Sequence, residues 1–446
     1  METEDIKWKQ YKLGDIAEYQ NGRAFKKSEW KKYGLPIIRI QNLTGSTKIV
    51  NYADNNYDDK FSVKEGDLLL SWSATLGVYN WIGKDAWLNQ HIFKVNPNEN
   101  IVTKDFCFYI LQKAIKELSS KTHGTGMVHI TKKIFEDHLI SLPEKISDQI
   151  KLTKKLDDIG EYKSSVSGTL ISSSIKASFF RQAILHAAVT GKLTKDWRIK
   201  NPKSTPVQEI INKIKTKRLD EAKTASKRKG IERIYAEDEN NSNSDLPEEW
   251  EFVSLAKLCK SFDYGTSKKS SKTGKIPVLR MGNLQEGSIN WENLVYTSDK
   301  PEVEKYKLQP NTVLFNRTNS PELVGKTSIY KSTRDAIFAG YLIRIVNYPE
   351  LDPDYLNYYL NSSHAKSYFR DIKTDGVSQS NINAQKLSKV GIPYCSIQEQ
   401  KEIVKRVEKL FALQEDILKK IGDAEVKSEQ LTQSVLNKAF SGGLVN

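Results

Sequence analysis

Cysteine is scarce in this sequence, and so are long hydrophobic runs. The 446 residues include three cysteines, Cys107, Cys259 and Cys395, which lie far apart. This number and spacing exclude a disulfide framework or a CxxC zinc ribbon, so we expect three small buried side chains. No stretch approaches about 18 uncharged apolar residues, which excludes a transmembrane helix. The N-terminal residues METEDIKWKQ contain no apolar signal core, so we expect a cytoplasmic protein without a membrane partner.

The motifs of the common catalytic sites are also missing or broken. Gly325–Thr327 has the end of a phosphate-binding loop, but Ser320 stands where the first glycine is needed. Asp352–Tyr355 departs from the Asn/Asp-Pro-Pro-Tyr/Phe motif of amino-methyltransferases, and we interpret Asp352 as a helix N-cap. The six histidines form neither an HExxH motif nor a zinc pattern with cysteine. We therefore predict that this chain is not an enzyme and has no catalytic residue and no metal site.

Positive charge, by contrast, is in excess. Lysine and arginine number 69 against 55 aspartates and glutamates, which gives a net charge of +14. A basic chain favours a polyanionic partner such as nucleic acid. Hydrophobic residues make up 38% of the chain, which excludes a disordered protein. The length corresponds to about two to four domains of ordinary size.

The chain contains two copies of one sequence pattern. Gln182–Leu193 matches Gln433–Leu444, and the same offset brings residues 148–149 onto 399–400. Nearer the start of each copy, the blocks Pro36–Leu43 and Pro277–Leu284 match at a slightly smaller offset, as expected if loops between blocks differ in length. So many matching blocks in one order indicate a tandem duplication.

Each copy begins with a mixed part. Trp8–Pro143 and Trp250–Pro393 contain short aromatic or β-branched runs separated by turn residues, which predicts α+β domains with mainly antiparallel sheets. Helices are expected over Lys104–Ser119 and Pro353–Tyr368, because Thr103 and Asp352 precede them as possible caps.

Each copy ends in a helical part. From Ile397 onward, and from Ile146 in the first copy, apolar residues alternate spacings near three and four. This spacing predicts two long coiled-coil helices, each roughly 65 Å long, and we expect them to pack antiparallel. Gly191 and Gly442 are expected to end the two helices as C-caps.

Three sequence marks carry a resemblance to a known family. They are Gln182–Arg198, Leu246–Trp250 and the Leu/Ile-Pro…Asp/Glu-Gln pattern before each long helix. In these marks, and over nearly its whole length, the chain resembles the specificity (S) subunits of type I restriction-modification enzymes. Asp148 replaces the usual glutamate in the first copy, and the second copy of the ending, Ser441–Leu444, is truncated.

The resemblance implies a DNA-reading role. It implies two similar target recognition domains joined by conserved helices, which read a bipartite, asymmetric target in double-stranded DNA with an unread spacer. It further implies docking of two modification (methyltransferase) subunits that methylate adenine N6, and of restriction (translocase and nuclease) subunits. AdoMet, ATP and Mg would be held by those partners, and no cofactor by this chain. The alternative is a coiled-coil scaffold or adaptor without sequence-specific DNA binding.

The expected layout is an α+β tandem repeat with pseudo-two-fold symmetry. Its segments are target recognition domain 1 (1–145), a long spacer helix (146–200), a charged linker (201–245), target recognition domain 2 (246–395) and a second long helix (396–446).

Candidate DNA contacts follow from side-chain chemistry. Arginine, lysine, asparagine and glutamine read base edges, and hydroxyl groups and basic side chains hold phosphates. In the first domain the candidates are Arg23, Lys26, Lys27, Arg39, Asn42, Ser71, Ser73, Gln90, His123 and Thr125. In the second domain they are Thr266, Lys268, Lys269, Arg280, Asn283, Arg317, Asn319, Gln379 and Asn381.

Two of these candidates recur in both copies. Arg39 matches Arg280, and Asn42 matches Asn283. Because the two domains should read different bases, shared residues are expected to hold phosphate or the fold, and the loops that differ are expected to give specificity.

A partner interface is expected where the long helices end. Apolar residues there exceed what one helix seam can cover, and such surplus indicates an interaction face. The candidates are Phe179, Phe180, Leu185, Val189, Leu436 and Phe440.

Overall fold

The two copies of the repeat do not fold as two consecutive blocks of sequence. The computed structural model describes residues 6–54, 56–73, 75–120, 131–202, 205–237, 246–376, 379–441 and 443. Its contacts group Met1–Leu170 with Asp423–Asn446 in one unit, and Ile171–Gly422 in another. We call these unit 1 and unit 2. Each long helix contributes one segment to each unit.

Unit 1 combines short strands with few helices. Its elements are β1 (Trp8–Lys12), α1 (Leu13–Ile16), β2 (Ala17–Asn21), β3 (Leu35–Ile38), α2 (Ile40–Leu43), β4 (Asn51–Ala53), β5 (Ser62–Val63), β6 (Leu68–Ser71), β7 (Gly77–Asn80), β8 (Ala86–Leu88), β9 (Ile92–Pro97), α3 (Lys104–Ser120), α4 (Lys132–Glu136), β10 (Leu139–Pro143) and the start of α5 (Ile146–Val189).

Unit 2 begins in α5 and repeats this order with additions. Its elements are α6 (Lys195–Lys200), α7 (Val207–Glu221), α8 (Ala225–Ala236), β11 (Glu251–Ser254), α9 (Leu255–Leu258), β12 (Cys259–Tyr264), β13 (Ile276–Leu279), β14 (Leu284–Gln285), β15 (Ser288–Ile289), β16 (Val295–Thr297), α10 (Lys300–Tyr306), β17 (Thr312–Asn316), β18 (Thr318–Asn319), β19 (Thr327–Tyr330), β20 (Ile337–Phe338), β21 (Leu342–Asn347), α11 (Pro353–Asn361), α12 (Ser363–Ile372), β22 (Thr374–Asp375), β23 (Ser380–Asn381), α13 (Ala384–Ser388), β24 (Gly391–Tyr394) and the start of α14 (Ile397–Ala439).

The two units share one sheet topology. Unit 1 has an antiparallel sheet in the order β2-β9-β6-β7 and a mixed sheet in which β3 runs parallel to β8. Unit 2 has the antiparallel order β12-β21-β17-β19 and a mixed sheet in which β13 runs parallel to β20. The pairs β1–β10 and β11–β24 join the start and end of each domain. The predicted α+β class is confirmed.

The core of unit 1 lies between the antiparallel sheet, α3 and the long helices. Phe106, Ile110 and Ala114 repeat every four residues along α3 and are fully buried, as one face of an amphipathic helix requires. Leu152 and Leu156 of α5 belong to this cluster, and so do Ala439 and Phe440 from the far end of the chain.

The long helices pack antiparallel within each unit. In unit 1, Lys163 of α5 forms an ion pair of 2.6 Å with Glu429 of α14, while the earlier residue Leu156 shares a core with the later Phe440. In unit 2, Gln414 Nε2 donates to Ala177 O at 2.6 Å.

The helix seam differs from the predicted one in its middle. Leu413 and Ile417 satisfy the apolar spacing that predicts the seam but are 50% and 40% exposed, whereas Gln414 is buried. Its Nε2 donates to the facing backbone of α5, while its Oε1 is buried without a hydrogen-bond partner among the described residues.

One further expectation needs correction. The segment predicted as one helix over Pro353–Tyr368 is two helices, because Ser362 interrupts it and caps α12 by accepting from Ala365 N at 3.2 Å.

The charged segment 201–245 contains a helix where the sequence of Val207–Lys217 predicts a short amphipathic one. This helix is α7, and its Ile211 and Ile214 are buried in the core of unit 2. Residues 238–245 lie outside the described part.

A buried glutamine ties each long helix to its domain. Gln149 donates to Ile101 O and Pro143 O at 2.8 and 3.0 Å and accepts from Thr103 N at 3.0 Å. The matching residue, Gln400, makes the same three bonds in unit 2, with Glu350 O, Cys395 O and Asp352 N. The start of the helix is therefore fixed to two other segments in both units.

No helix in the described ranges is long and apolar enough to cross a membrane.

Candidate nucleic-acid interface

A cleft of about 960 Å³ opens at one end of the sheets of unit 2. Five segments line it: residues 266–270 after β12, 280–283 after β13, 290–295, 317–318 after β17, and 339–341 after β20. Thr266, Lys268, Lys269, Arg280, Asn283 and Arg317 all line this cleft. The structure thus brings together six side chains that sequence reasoning had selected from three separate segments.

A close backbone contact closes one wall of the cleft. Thr266 N donates to Phe338 O at 2.9 Å, and Gly340 N donates to Thr266 O at 2.8 Å. The preceding Gly265 passes so close that a Cβ there would lie 2.2 Å from Phe338 O. Only glycine fits at this position.

Arg317 projects into the cleft from the end of the central strand. Its backbone N donates to Tyr341 O at 3.0 Å, and its guanidinium lies over the ring of Tyr264, 4.7 Å from the centroid. Nη1 donates to Gly340 O at 3.3 Å. In the described part of the chain, no carboxylate pairs with this arginine.

Asn283 has a structural role. It is 3% exposed, its Oδ1 accepts from Arg280 N at 2.9 Å, and its Nδ2 donates to Asn290 O and Glu292 O. Asn42 does the same in unit 1, accepting from Arg39 N at 3.1 Å. The expectation that shared residues hold the fold thus describes Asn42 and Asn283, and a base contact by Asn283 is excluded by its burial.

Charge in the cleft is only partly compensated. Lys268 forms ion pairs with Asp299 at 2.8 Å and with Glu302 at 3.5 Å. The hydrogen bond to Asp299 raises the pKa of this lysine and lowers that of the aspartate. Thr266 is buried and donates to Glu302, so it is part of the wall and not a free contact. Lys269 is exposed and has no ion pair among the described residues.

The remaining candidates of unit 2 lie at the small sheet β18-β23-β22. Asn381 Nδ2 donates to Thr318 Oγ1 at 2.7 Å, and Asn319 pairs with Ser380 in the strand ladder. Gln379 is exposed immediately before β23. This sheet adjoins Arg317, whose carbonyl oxygen accepts from Ile382 N at 2.9 Å.

Unit 1 repeats the same backbone frame. Arg23 N donates to Leu88 O at 2.8 Å, and Gln90 N donates to Arg23 O at 3.0 Å. A Cβ on Gly22 would lie 2.2 Å from Asn89 O. Arg23 therefore corresponds to Thr266, and Gln90 to Gly340.

The side chains on this frame are differently engaged. Arg23 forms an ion pair of 2.7 Å with Glu29 and lies over the rings of Tyr57 and Phe25, so it is held in an aromatic cage. Lys26, Lys27 and Gln90 are exposed. The guanidinium of Arg39 lies over the ring of Trp30, 5.4 Å from its centroid.

Two candidates of unit 1 are wrong. Ser71 is 0% exposed, with its hydroxyl donating to Thr75 O at 2.6 Å, and Ser73 is 5% exposed. DNA cannot reach buried hydroxyls, so both are part of the fold. His123 and Thr125 lie outside the described residues.

The residues of the predicted partner interface are partly buried and partly exposed. Leu185 and Val189 are 2% exposed in the core of unit 2, and Phe440 is 7% exposed in that of unit 1. These three are core residues. Leu436 is partly buried, packs on the core of unit 1 and lines a cavity there. Phe179 is 71% exposed and Phe180 38%.

An exposed apolar stripe lies along α5 in unit 2. Ile171, Ile175 and Phe179 repeat every four residues and are 57%, 53% and 71% exposed. Sequence reasoning missed the first two because the same spacing also predicts a buried seam. It also missed Tyr341, which lines the cleft, and Tyr264, whose ring lies against Arg317, because the side-chain chemistry used to choose candidates selected charged, amide and small hydroxyl groups. Among the described residues, no group of His, Cys, Asp and Glu could hold a metal ion.

Comparison with known proteins identifies the family. A model described as "Type I restriction modification DNA specificity domain" matches residues 5–172 and 247–424. The Escherichia coli "Type I restriction enzyme EcoBI specificity subunit" is 26% identical over 448 residues, covering 98% of this chain and 86% of that protein. The EcoKI specificity subunit of strain K12 is 25% identical, covering 92% and 82%.

Solved structures agree on the fold. A chain described under complex assembly and conformational transition of the type I R-M system has a TM-score of 0.68 at 16% identity, covering 98% of both chains. The HsdS subunit from Thermoanaerobacter tengcongensis has a TM-score of 0.54 at 17% identity, covering 98% and 97%. With one domain model matching both copies of the repeat, this chain belongs to the family of type I restriction-modification specificity subunits.

Proposed function

We propose that this chain reads the DNA target of a type I restriction-modification complex and does no chemistry itself. The cleft of unit 2 carries the proposal: candidates from three separate segments line one surface, and Lys269, Arg280 and Arg317 there have no carboxylate partner in the described ranges. Unpaired cations attract phosphate, and their release of counterions drives DNA binding.

Each unit is proposed to read one half of a bipartite target. The two units share a backbone frame but carry different side chains on it, so the two half-sites differ and the target is asymmetric. The DNA between the half-sites is an unread spacer.

Modification subunits are the proposed partners of the α5 stripe. Two of them, holding AdoMet, methylate adenine N6 in the half-sites, and restriction subunits supply ATP- and Mg-dependent cleavage. The complex works in the cytoplasm. Ile171, Ile175 and Phe179 present an apolar row to solvent in unit 2, which is typical of a protein-binding face.

The methylome of cells that express this chain with its modification subunit tests the reading function. We expect adenine methylation in one bipartite asymmetric motif, absent when this chain is omitted. The purified chain should also bind duplex DNA with an affinity that falls steeply with salt. A scaffold protein would show neither a motif nor salt-dependent binding.

A substitution in the stripe tests the partner surface. Phe179→Asp should abolish co-purification of the modification subunit while thermal unfolding of the chain is unchanged, because Phe179 is exposed. Ile199→Asp is the matched control, since Ile199 is 73% exposed on α6, outside the stripe. Equal co-purification of both variants would contradict the proposal.

A further inference from the structure

Corresponding positions in the two units carry different chemistry on the same backbone. In unit 2, Arg317 N donates to Tyr341 O at 3.0 Å, and in unit 1, Trp72 N donates to His91 O at 3.4 Å. In each unit the donor is the first residue after a strand, β17 or β6. The acceptor is the residue after the one whose backbone N contacts the frame, which is Gly340 in unit 2 and Gln90 in unit 1. Arg317 thus corresponds to Trp72, and Tyr341 to His91.

In a protein that reads two different half-sites, a residue present in both units and a residue present in only one are expected to contact DNA differently. Arg39 and Arg280 occupy one position in both units, as a contact common to any DNA would require. Arg317 has no basic counterpart, because Trp72 stands at that position and packs against Phe93 and His91. A cation present in one unit only is suited to reading a base that only one half-site contains.

The environment of Arg317 holds its guanidinium without neutralising it. The ring of Tyr264 supports one face, and Gly340 O accepts from Nη1. Tyr264 is itself fixed, because its hydroxyl accepts from Ala384 N at 2.9 Å. The other Nη protons remain available on a positioned, planar and charged group that lines the cleft.

We propose that Arg317 is a specificity-determining residue that reads a guanine in the half-site bound by unit 2, with Tyr264 as its positioning residue. Guanine presents two acceptors, O6 and N7, in the major groove, and arginine is the side chain that bonds both at once. This inference rests on the proposed function and names one base contact within it.

Methylation of a duplex library tests the contact. The full chain, co-expressed with its modification subunit, is given duplexes in which each base pair of the wild-type motif is replaced in turn. Arg317→Lys keeps the charge but loses the planar pair of donors. We expect it to lower discrimination at one G·C pair, in one half-site, by about tenfold or more. Discrimination at every other position should be unchanged.

Two controls distinguish reading from other roles. Lys269→Ala should lower methylation on all duplexes equally and reduce the salt dependence of binding, as a phosphate contact does. Tyr264→Leu should affect the same base pair as Arg317→Lys, whereas Tyr264→Phe keeps the supporting ring and should retain most of the discrimination.

Three results would overturn the inference. They are unchanged discrimination in Arg317→Lys, a uniform loss on all duplexes, or a loss in both half-sites. If Arg317→Lys does not fold, the two Tyr264 variants test the inference instead. Equal discrimination by Tyr264→Leu and Tyr264→Phe would also refute the inference. Absence of any methylated motif with the wild-type chain would instead refute the proposed function.

Discussion

At the scale of single residues, the duplication supplies matched pairs whose surroundings differ. Trp250 Nε1 donates to Glu399 Oε2 at 3.0 Å, and this buried carboxylate also accepts from Arg198 at 2.5 Å and Thr194 at 2.6 Å. Trp8 is the counterpart of Trp250, but its Nε1 is buried without a partner in the described part of unit 1. The residue matching Glu399 is Asp148, which is one methylene shorter.

Replacing each tryptophan by phenylalanine compares an indole that donates to a buried carboxylate with one that has no partner in the described part of unit 1. The same atoms are removed in both variants, but only Trp250→Phe breaks a bond to a charged acceptor. We expect Trp250→Phe to lower the free energy of unfolding by about 1.5–3 kcal/mol more than Trp8→Phe does. Denaturant titrations of the two variants measure this difference, and equal losses would show that the bond to Glu399 contributes nothing.

At the scale of elements, the glutamine at the start of each long helix forms hydrogen bonds with backbone groups of neighbouring segments. Gln149 and Gln400 are 0% exposed, and each satisfies two carbonyls and one amide of neighbouring segments. Without them, those buried backbone groups would be unpaired.

Substitution by leucine should therefore be costly at these two positions. Gln400→Leu leaves Asp352 N, Glu350 O and Cys395 O without their partner, and we expect a loss of about 3 kcal/mol or more. Gln385→Leu, at an exposed position on α13, should cost less than about 0.5 kcal/mol. Thermal unfolding compares them; a Gln400→Leu variant as stable as the control would refute the role.

Elements were largely predictable from the sequence, and their surroundings were not. The span of α5 over Ile146–Val189 and the N-cap at Asp352 follow from local patterns. The burial of Ser71, Ser73 and Gln414 does not, because it depends on which distant segment covers each face. Apolar spacing along α5 likewise cannot distinguish the buried Leu185 from the exposed Ile175, since both satisfy the same period.

At the scale of the whole molecule, the three cysteines report separately on the two units. Cys107 lies in unit 1, and Cys259 and Cys395 lie in unit 2; all three are buried. Burial raises the pKa of Cys107 to about 12 and also raises the pKa of the other two thiols. Because the thiolate is the reactive form, none of them should be alkylated until its unit opens.

Deleting residues 423–446 should open unit 1 selectively. The deletion removes Ala439 and Phe440 from the core that contains Cys107, and loss of a buried phenylalanine alone costs about 3–5 kcal/mol. Mass spectrometry after native iodoacetamide labelling should show Cys107 modified while Cys259 and Cys395 remain protected. In Phe440→Ala, Cys107 should also be labelled before Cys259 and Cys395, but at a higher denaturant concentration than in the deletion variant. Protection of Cys107 in the deletion variant would contradict the assignment of this segment to unit 1.

The discontinuity of unit 1 also has a consequence in time. A ribosome adds about 5–20 residues per second, so tens of seconds separate Leu170 from Phe440 in synthesis. During that interval the side chains that Phe440 and Ala439 will cover, Phe106 among them, have no cover from α14. The last residue of unit 2, Gly422, is synthesised before the residues of α14 that complete unit 1. The unit translated first is thus the last to have its whole core synthesised, and in the cell chaperones and proteases meet it while that core is incomplete.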